Sequence, residues 1–350
     1  DLLVGGFCDR PDAEYAPAAA PVPNRLLRNR GDGRFDVVAN PDVARYGRTS
    51  GAVFADLDND GWLDLYVANN AKPGPVRGSV GAFQAQAKQQ LSLLFQNRGG
   101  TLTDVSASSG GCPAALHTAR NIVVFDVDND SLLDLLVIED RFRKQPRSVL
   151  LRNEGDFRFR DATADFGLPD NLFGLGHAIA DINDDGRPDL FIGHSNRCFL
   201  STPEGRYVEP ASLRDTFAWR PLHGEDWPCG AAFGLVLAIH CDTARNRGFL
   251  NEGLVDGVPR FRDVTQEVGL PDAIPVKCPH VEIQDFDNDG WPDLYFSAGW
   301  RNADGSVTPL IFRHQGMNGD LPRFAAPREI AQPMVYYPAG PSADYDADGR

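Results

Sequence analysis

The sequence is poor in basic residues, in methionine and in long apolar runs, and two of these shortages exclude whole classes of partner. Lysine and arginine number 34 against 49 acidic residues, for a formal net charge of −15. A chain of that sign is repelled by phosphate backbones and by anionic lipid, so nucleic acid is excluded as a partner. No apolar run approaches the roughly 20 residues that cross a bilayer as a helix, and no transmembrane segment is expected. The first residues, from Asp1, hold neither an initiator methionine nor a basic stretch followed by an apolar one, and the chain reads as a piece of something longer. The cysteines Cys8, Cys112, Cys198, Cys229, Cys241 and Cys278 are scattered singly with no Cys-x-x-Cys spacing, which argues against a zinc ribbon or a thioredoxin-like site. Disulfides among them and buried free thiols are both open.

What is abundant is glycine (35) and proline (26), set between short apolar segments in a chain that is 42% hydrophobic. Many brief strands joined by turns follow, and the fold class is all-β. An internal repeat then sets the architecture. It consists of an apolar strand, an acidic loop, and an Asp-Leu that opens a second apolar strand. The copies read GAVFADLDNDGWLDLYVANN from Gly51, NIVVFDVDNDSLLDLLVIED from Asn121, GHAIADINDDGRPDLFIGHS from Gly176 and HVEIQDFDNDGWPDLYFSAG from His280. A further copy, PAGPSADYDADGR from Pro338, reaches the end of the chain, and CGAAFGLVLAIHC from Cys229 reads as a sixth whose acidic loop is deleted. Successive copies begin roughly 50 to 70 residues apart.

A second element alternates with the first: an apolar pair, a turn of Asn, Gly or Asp, then an aromatic and an Asp. Examples are NRLLRNRGDGRFDVV from Asn24, VLLRNEGDFRFRDA from Val149 and IFRHQGMNGDLPRF from Ile311. Such turns accept positive φ and join two strands in a hairpin. Each repeat therefore supplies about four short antiparallel strands. A unit of that size cannot cover its own apolar faces, but units packed radially around a channel can, which is the β-propeller. Residues 1–350 are read as one propeller domain. Joining Arg350 to Asp1 nearly restores the repeat, one residue short; seven blades are favoured for that reason, with six as the alternative.

These residues resemble the FG-GAP (VCBS-type) repeats of integrin α-subunit propellers and, more closely, those of the cartilage-acidic-protein family, in which G-x-x-x-x-D-x-D-x-D-G-x-x-D-L alternates with N-x-G-D-G-x-F. The resemblance implies a calcium-stabilised propeller, generally extracellular, used for adhesion or ligand binding.

Carboxylates at positions 1, 3 and 5 with Gly at 6 wrap a tight loop around a hard cation, and a later carboxylate closes the shell. That pattern assigns as metal ligands Asp56, Asp58, Asp60 and Asp64 in the first loop; Asp126, Asp128, Asp130 and Asp134 in the second, where Ser131 replaces the usual Gly; Asp181, Asn183, Asp185 and Asp189 in the third; and Asp285, Asp287, Asp289 and Asp293 in the fourth. The carbonyls of Trp62, Leu132, Arg187 and Trp291 are the expected backbone ligands. Asp344, Asp346 and Asp348 form a fifth, partial set. Oxygen-only ligands select calcium or magnesium, and a flexible loop offering many oxygens suits calcium better. Four such dications would bring the formal charge from −15 to −7. Without them the like charges repel, so binding and folding are expected to be linked and the metal to be structural.

Away from the loops, Arg120, His177 and His280 stand just before or at the start of the strands leading into acidic loops, where a propeller places its channel mouth, and are candidate ligand contacts. Residues 10–23, 71–92 and 211–228 interrupt the repeat as insertions, and the last, with Trp219 and Trp227, is a candidate partner patch. Arg30-Gly31-Asp32 spells an adhesive tripeptide but falls within the hairpin turn, whose geometry already requires those residues. The sequence has no nucleophile motif and no carboxylate pair outside the loops, which favours a protein- or glycan-binding module over a polysaccharide lyase or hydrolase. A structural unit of a filament or matrix, as part of a larger assembly, is the third reading. Weak calcium sites stay filled only at the millimolar concentrations found outside cells, which points to an extracellular location.

Overall fold

A computed structural model describes residues 1–6, 23–70, 91–116, 119–139, 147–169, 172, 174, 176–193, 198–201, 207–208, 238–241, 247–256, 258–268, 281–301, 307–325 and 328–329. Every regular element among them is a strand, as expected of an all-β chain. The chain divides into two compact units, Asp1–Phe173 with Glu252–Phe261, and Gly174–Asn251 with Arg262–Arg350. No helix among the described residues is long and apolar enough to cross a membrane.

In the first unit each repeat becomes one antiparallel sheet. Thr49–Ala55, Asp64–Asn69, Leu93–Arg98 and Thr101–Asp104 form one in sequence order, and Ala119–Phe125, Asp134–Glu139, Val149–Asn153 and Phe159–Asp161 form the next. Leu2–Val4, Arg25–Asn29 and Phe35–Val38 make a three-stranded sheet. The second strands are buried on both faces, as Asp64–Asn69 and Asp134–Glu139 show at every residue. Side chains alternate across a strand, so the two faces serve two different cores. Leu65 and Val67 pack with Val43, Leu93 and Phe95, whereas Tyr66 and Ala68 pack with Leu94, Leu135, Val137 and Leu151. A strand sandwiched in this way is a near-continuous apolar run rather than a half-polar one, which is how DLYVAN and DLLVIE read.

Neighbouring first strands approach closely. Ser50 Oγ donates to the Ala119 carbonyl at 2.7 Å, and a Cβ added at Gly51 would lie 2.8 Å from the Arg120 carbonyl oxygen. Glycine at position 51 is therefore required by the approach of backbone to backbone.

In the second unit Gly176–Ala180 pairs with Asp189–Gly193, which pairs in turn with the opening residues of Arg247–Val255. Val281–Gln284, Asp293–Arg301, Val307–Phe312 and Arg328–Glu329 form a four-stranded sheet, and His314–Asn318 pairs with Leu321–Phe324. Its core gathers Ile182, Phe191, Leu250, Val264, Leu294 and Phe312.

The segment from Cys229, read as a sixth copy with its loop deleted, lies outside the described residues except for Ala238–Cys241. The strand Asp189–Gly193 takes its third-strand partner from Arg247–Val255, and Cys198–Ser201, Tyr207–Val208 and Ala238–Cys241 form a separate three-stranded sheet between them in sequence. Most of the insertions at 10–23 and 71–92, and all of that at 211–228, lie outside the described residues.

Candidate metal centres

All four complete acidic loops are built the same way. The last residue of the first strand faces the closing Asp across the ladder: Ala55 with Asp64, Phe125 with Asp134, Ala180 with Asp189 and Gln284 with Asp293. The first carboxylate of each loop accepts two backbone amides: Asp56 from Asp60 and Gly61, Asp126 from Asp130 and Ser131, Asp181 from Asp185 and Gly186, Asp285 from Asp289 and Gly290. The fifth-position carboxylate accepts from the amide of the seventh residue, as Asp60 does from Trp62, Asp130 from Leu132, Asp185 from Arg187 and Asp289 from Trp291. Positive φ at Asn59 (56°), Asn129 (57°), Asp184 (59°) and Asn288 (57°), followed two residues on by Gly61, Ser131, Gly186 and Gly290, coils the chain. Asn and Asp tolerate that region and Gly takes it freely; Ser131, at 71°, does so under strain.

The turn brings carboxylates together. Oxygens of Asp56, Asp58 and Asp64 lie within 4.8 Å of one another, as do those of Asp126, Asp128 and Asp134, and those of Asp285, Asp287 and Asp289. At the third position, three loops hold a buried oxygen with no hydrogen-bond partner: Asp58 Oδ1, Asp128 Oδ1 and Asn183 Oδ1. Buried polar atoms are nearly always paired, and these three exceptions recur at one loop position. These oxygen donors fit calcium or magnesium.

The closing carboxylates do something the sequence pattern did not reveal. Each is buried and accepts two backbone amides, one from its own loop and one from the following hairpin. Asp64 accepts from Leu57 and Asn97, Asp134 from Val127 and Asn153, Asp189 from Ile182 and Asn251, and Asp293 from Phe286 and His314. Burial is the main cause that pushes these carboxyls up, opposed by the amides and reinforced by neighbouring loop carboxylates. Asp64 rises to about 6, Asp134 and Asp189 to about 7, and Asp293 moves the same way.

A further group reaches the loops from the next strand. Gln96 Nε2 donates to Asp58 Oδ2 at 2.6 Å. Arg152 donates to Asp128 Oδ2 at 2.7 Å and to Asp130 Oδ2 at 2.8 Å, and Arg313 to Asp287 Oδ2 at 2.5 Å. The cleft beside the fourth loop, about 450 Å³, is lined by Asp287, Asp289, Trp291, Arg313 and His314, with the Trp291 ring stacked on His314 at 4.8 Å.

Arg120 falls in the register shift of the strand Ala119–Phe125, and His177 faces Ile192 across its ladder. They belong to different units. His280, Trp219, Trp227, Asp344, Asp346 and Asp348 lie outside the described residues. Cys112 is a free thiol that burial pushes up to about 12, which leaves it inert as a nucleophile at neutral pH.

Fold and loops together define an all-β protein built from repeated sheets with acidic turns, and comparison with known proteins agrees. Residues 1–67 match the FG-GAP-like repeat family. The chain is similar to cartilage acidic protein 1 of Homo sapiens, 25% identical over 197 residues that cover 54% of this chain and 25% of that protein. It is similar also to cartilage acidic protein 1 of Xenopus tropicalis (25% over 198 residues) and of Mus musculus (25% over 196 residues), each match covering 54% of this chain and 26% of the relative. The chain thus carries FG-GAP-like repeats and has cartilage acidic protein 1 among its relatives, while the match spans about a quarter of their length.

Proposed function

We propose that residues 1–350 form a calcium-stabilised, extracellular β-propeller that binds a protein or glycan and serves as an adhesion-type module of a larger assembly. The observation that carries the metal reading is the unpartnered buried oxygen at the third position of three loops. In this reading Asp56, Asp58, Asp60 and Asp64, with their counterparts in the other loops, hold the cation. Its role is electrostatic: it neutralises clustered carboxylates that otherwise repel. The protein then supplies a rigid scaffold from which loops present side chains, and Trp62 and Leu63, 48% and 54% exposed at the tip of the first loop, are such side chains. Several sites of modest affinity support the extracellular assignment, since they fill at millimolar calcium.

The test is thermal unfolding in millimolar calcium and again after chelation. A large fall in Tm on chelation, reversed by calcium and poorly by magnesium, supports the reading. An unchanged Tm would mean that the loops are metal-free turns, and the location argued from them would fail too.

A further inference from the structure

We propose that the guanidinium of Arg152 is a built-in counter-cation of the loop at residues 126–134, making it a weaker, more readily exchanged calcium site than the loop at residues 56–64. The inference rests on the calcium reading above and deepens it by ranking the sites.

The two loops lie in the same unit and have the same four carboxylate positions. They differ in what the following sheet delivers. Gln96 and Arg152 occupy the same repeat position, one residue before the hairpin asparagines Asn97 and Asn153. Gln96 is neutral and binds one oxygen of Asp58. Arg152 is charged and spans two carboxylates, Asp128 and Asp130. Its Nε donates to Asp128 and its Nη2 to Asp130, two charge-assisted hydrogen bonds to separate carboxylates. Burial makes them count, because the Asp128 side chain is only 7% exposed and that of Arg152 29%. Asp128 Oδ1 is still left without a partner, so the loop retains a place for a cation, now beside a positive charge. An arginine guanidinium is not deprotonated in a protein, so Arg152 keeps its charge throughout the accessible pH range. Affinity of an oxygen-ligand loop follows its ligand charge, and the first loop therefore outranks the second. Arg313, on Asp287, gives the fourth loop the same character.

The test is calcium titration of the intact chain by isothermal calorimetry, with equilibrium dialysis against radioactive calcium to count sites. Wild type is expected to show tight and weak classes. Arg152→Gln, which copies the first loop, is expected to move one site into the tight class with a gain on the order of tenfold, the scale of removing one charge a few ångströms from a dication. Gln96→Arg is expected to remove one tight site, and Arg152→Lys to leave the weak class in place. Melting in chelator verifies that each variant folds; should Arg152→Gln fail to fold, Gln96→Arg carries the test. Calcium binding with unchanged classes in the folded variants overturns this inference and leaves the calcium reading standing. No uptake by wild type at millimolar calcium overturns both.

Discussion

The side-chain amide of Asn153 donates at 2.7 Å to the carbonyl of Leu57, a residue 96 positions earlier in the acidic loop of the preceding repeat. The same amide also donates to the Leu133 carbonyl of its own repeat at 3.1 Å, and its backbone N–H donates to Asp134. One buried residue thus ties two acidic loops to one hairpin. In the second unit His314 stands at the corresponding position, with Nε2 at 3.2 Å from the Ile182 carbonyl. Its Nδ1 accepts from the Gly316 amide at 2.9 Å, which leaves Nε2–H as the donor.

Replacing Asn153 by leucine strands two carbonyls in a buried setting. The expected cost is about 2 to 3 kcal/mol, visible as a lower urea midpoint at constant m-value. His314→Asn preserves a donor and is expected to cost much less than His314→Leu. Equal losses for the two His314 variants would show that ring packing against Trp291 and Phe324, not the hydrogen bond, holds this position.

Ser131 is the only non-glycine at the sixth position of the four complete loops, and its φ of 71° is one that side chains other than Asn and Asp adopt reluctantly. Its N–H donates to Asp126 at 2.8 Å, a bond that glycine keeps. Ser131→Gly is therefore expected to stabilise the chain by about 1 kcal/mol, read as a rise in Tm in both calcium and chelator. A fall in Tm would mean that the serine side chain contributes more than the backbone strain costs.

The buried carboxyls set the pH dependence of the metal-free chain. Asp134 and Asp189 are raised to about 7 and Asp64 to about 6, well above an unfolded Asp near 3.9. The folded state then binds protons more tightly than the unfolded one, so stability falls as pH rises through the interval between about 4 and 7. In chelator, Tm is expected to decline from pH 5 to pH 8. With calcium bound the carboxylates are held ionised, the decline is expected to flatten, and calcium uptake at pH 6 is expected to release protons. A calorimetric titration in two buffers of different ionisation enthalpy measures that release directly; its absence would show that these carboxyls are already ionised in the metal-free fold.

Much of this organisation is legible in the residues themselves. The Asp-x-Asp-x-Asp spacing marks each loop because one turn geometry needs carboxylates and positive φ at fixed offsets, and Leu65 to Ala68 read as a strand buried on both faces because no polar residue interrupts them. The three-stranded sheet of Cys198–Ser201, Tyr207–Val208 and Ala238–Cys241 was not legible, since nothing in the local sequence shows that Asp189–Gly193 takes its next partner from Arg247–Val255. The reach of Asn153 to Leu57 was likewise hidden, since local sequence carries no information on which carbonyl of another repeat a side chain meets. Arg152 looks like an ordinary strand residue until the fold sets it on Asp128.

The third and closing positions of one loop separate the two jobs that its carboxylates perform. Asp58 offers an unpartnered oxygen, while both oxygens of Asp64 accept backbone amides, from Asn97 at 2.7 Å and Leu57 at 2.8 Å. Asp58→Asn reproduces what the third loop already has in Asn183. It is expected to leave Tm in chelator unchanged or slightly higher, because it removes one like charge, and to shrink the gain on adding calcium. Asp64→Asn turns an NH₂ group toward one of the two amides and leaves that buried donor unpaired, so Tm is expected to fall in calcium and chelator alike, by the equivalent of about 2 kcal/mol. Melting both variants with and without calcium distinguishes the roles: if Asp58→Asn lost stability in chelator as fully as Asp64→Asn, the third carboxylate would be part of the hydrogen-bonded frame and not a place kept for an ion.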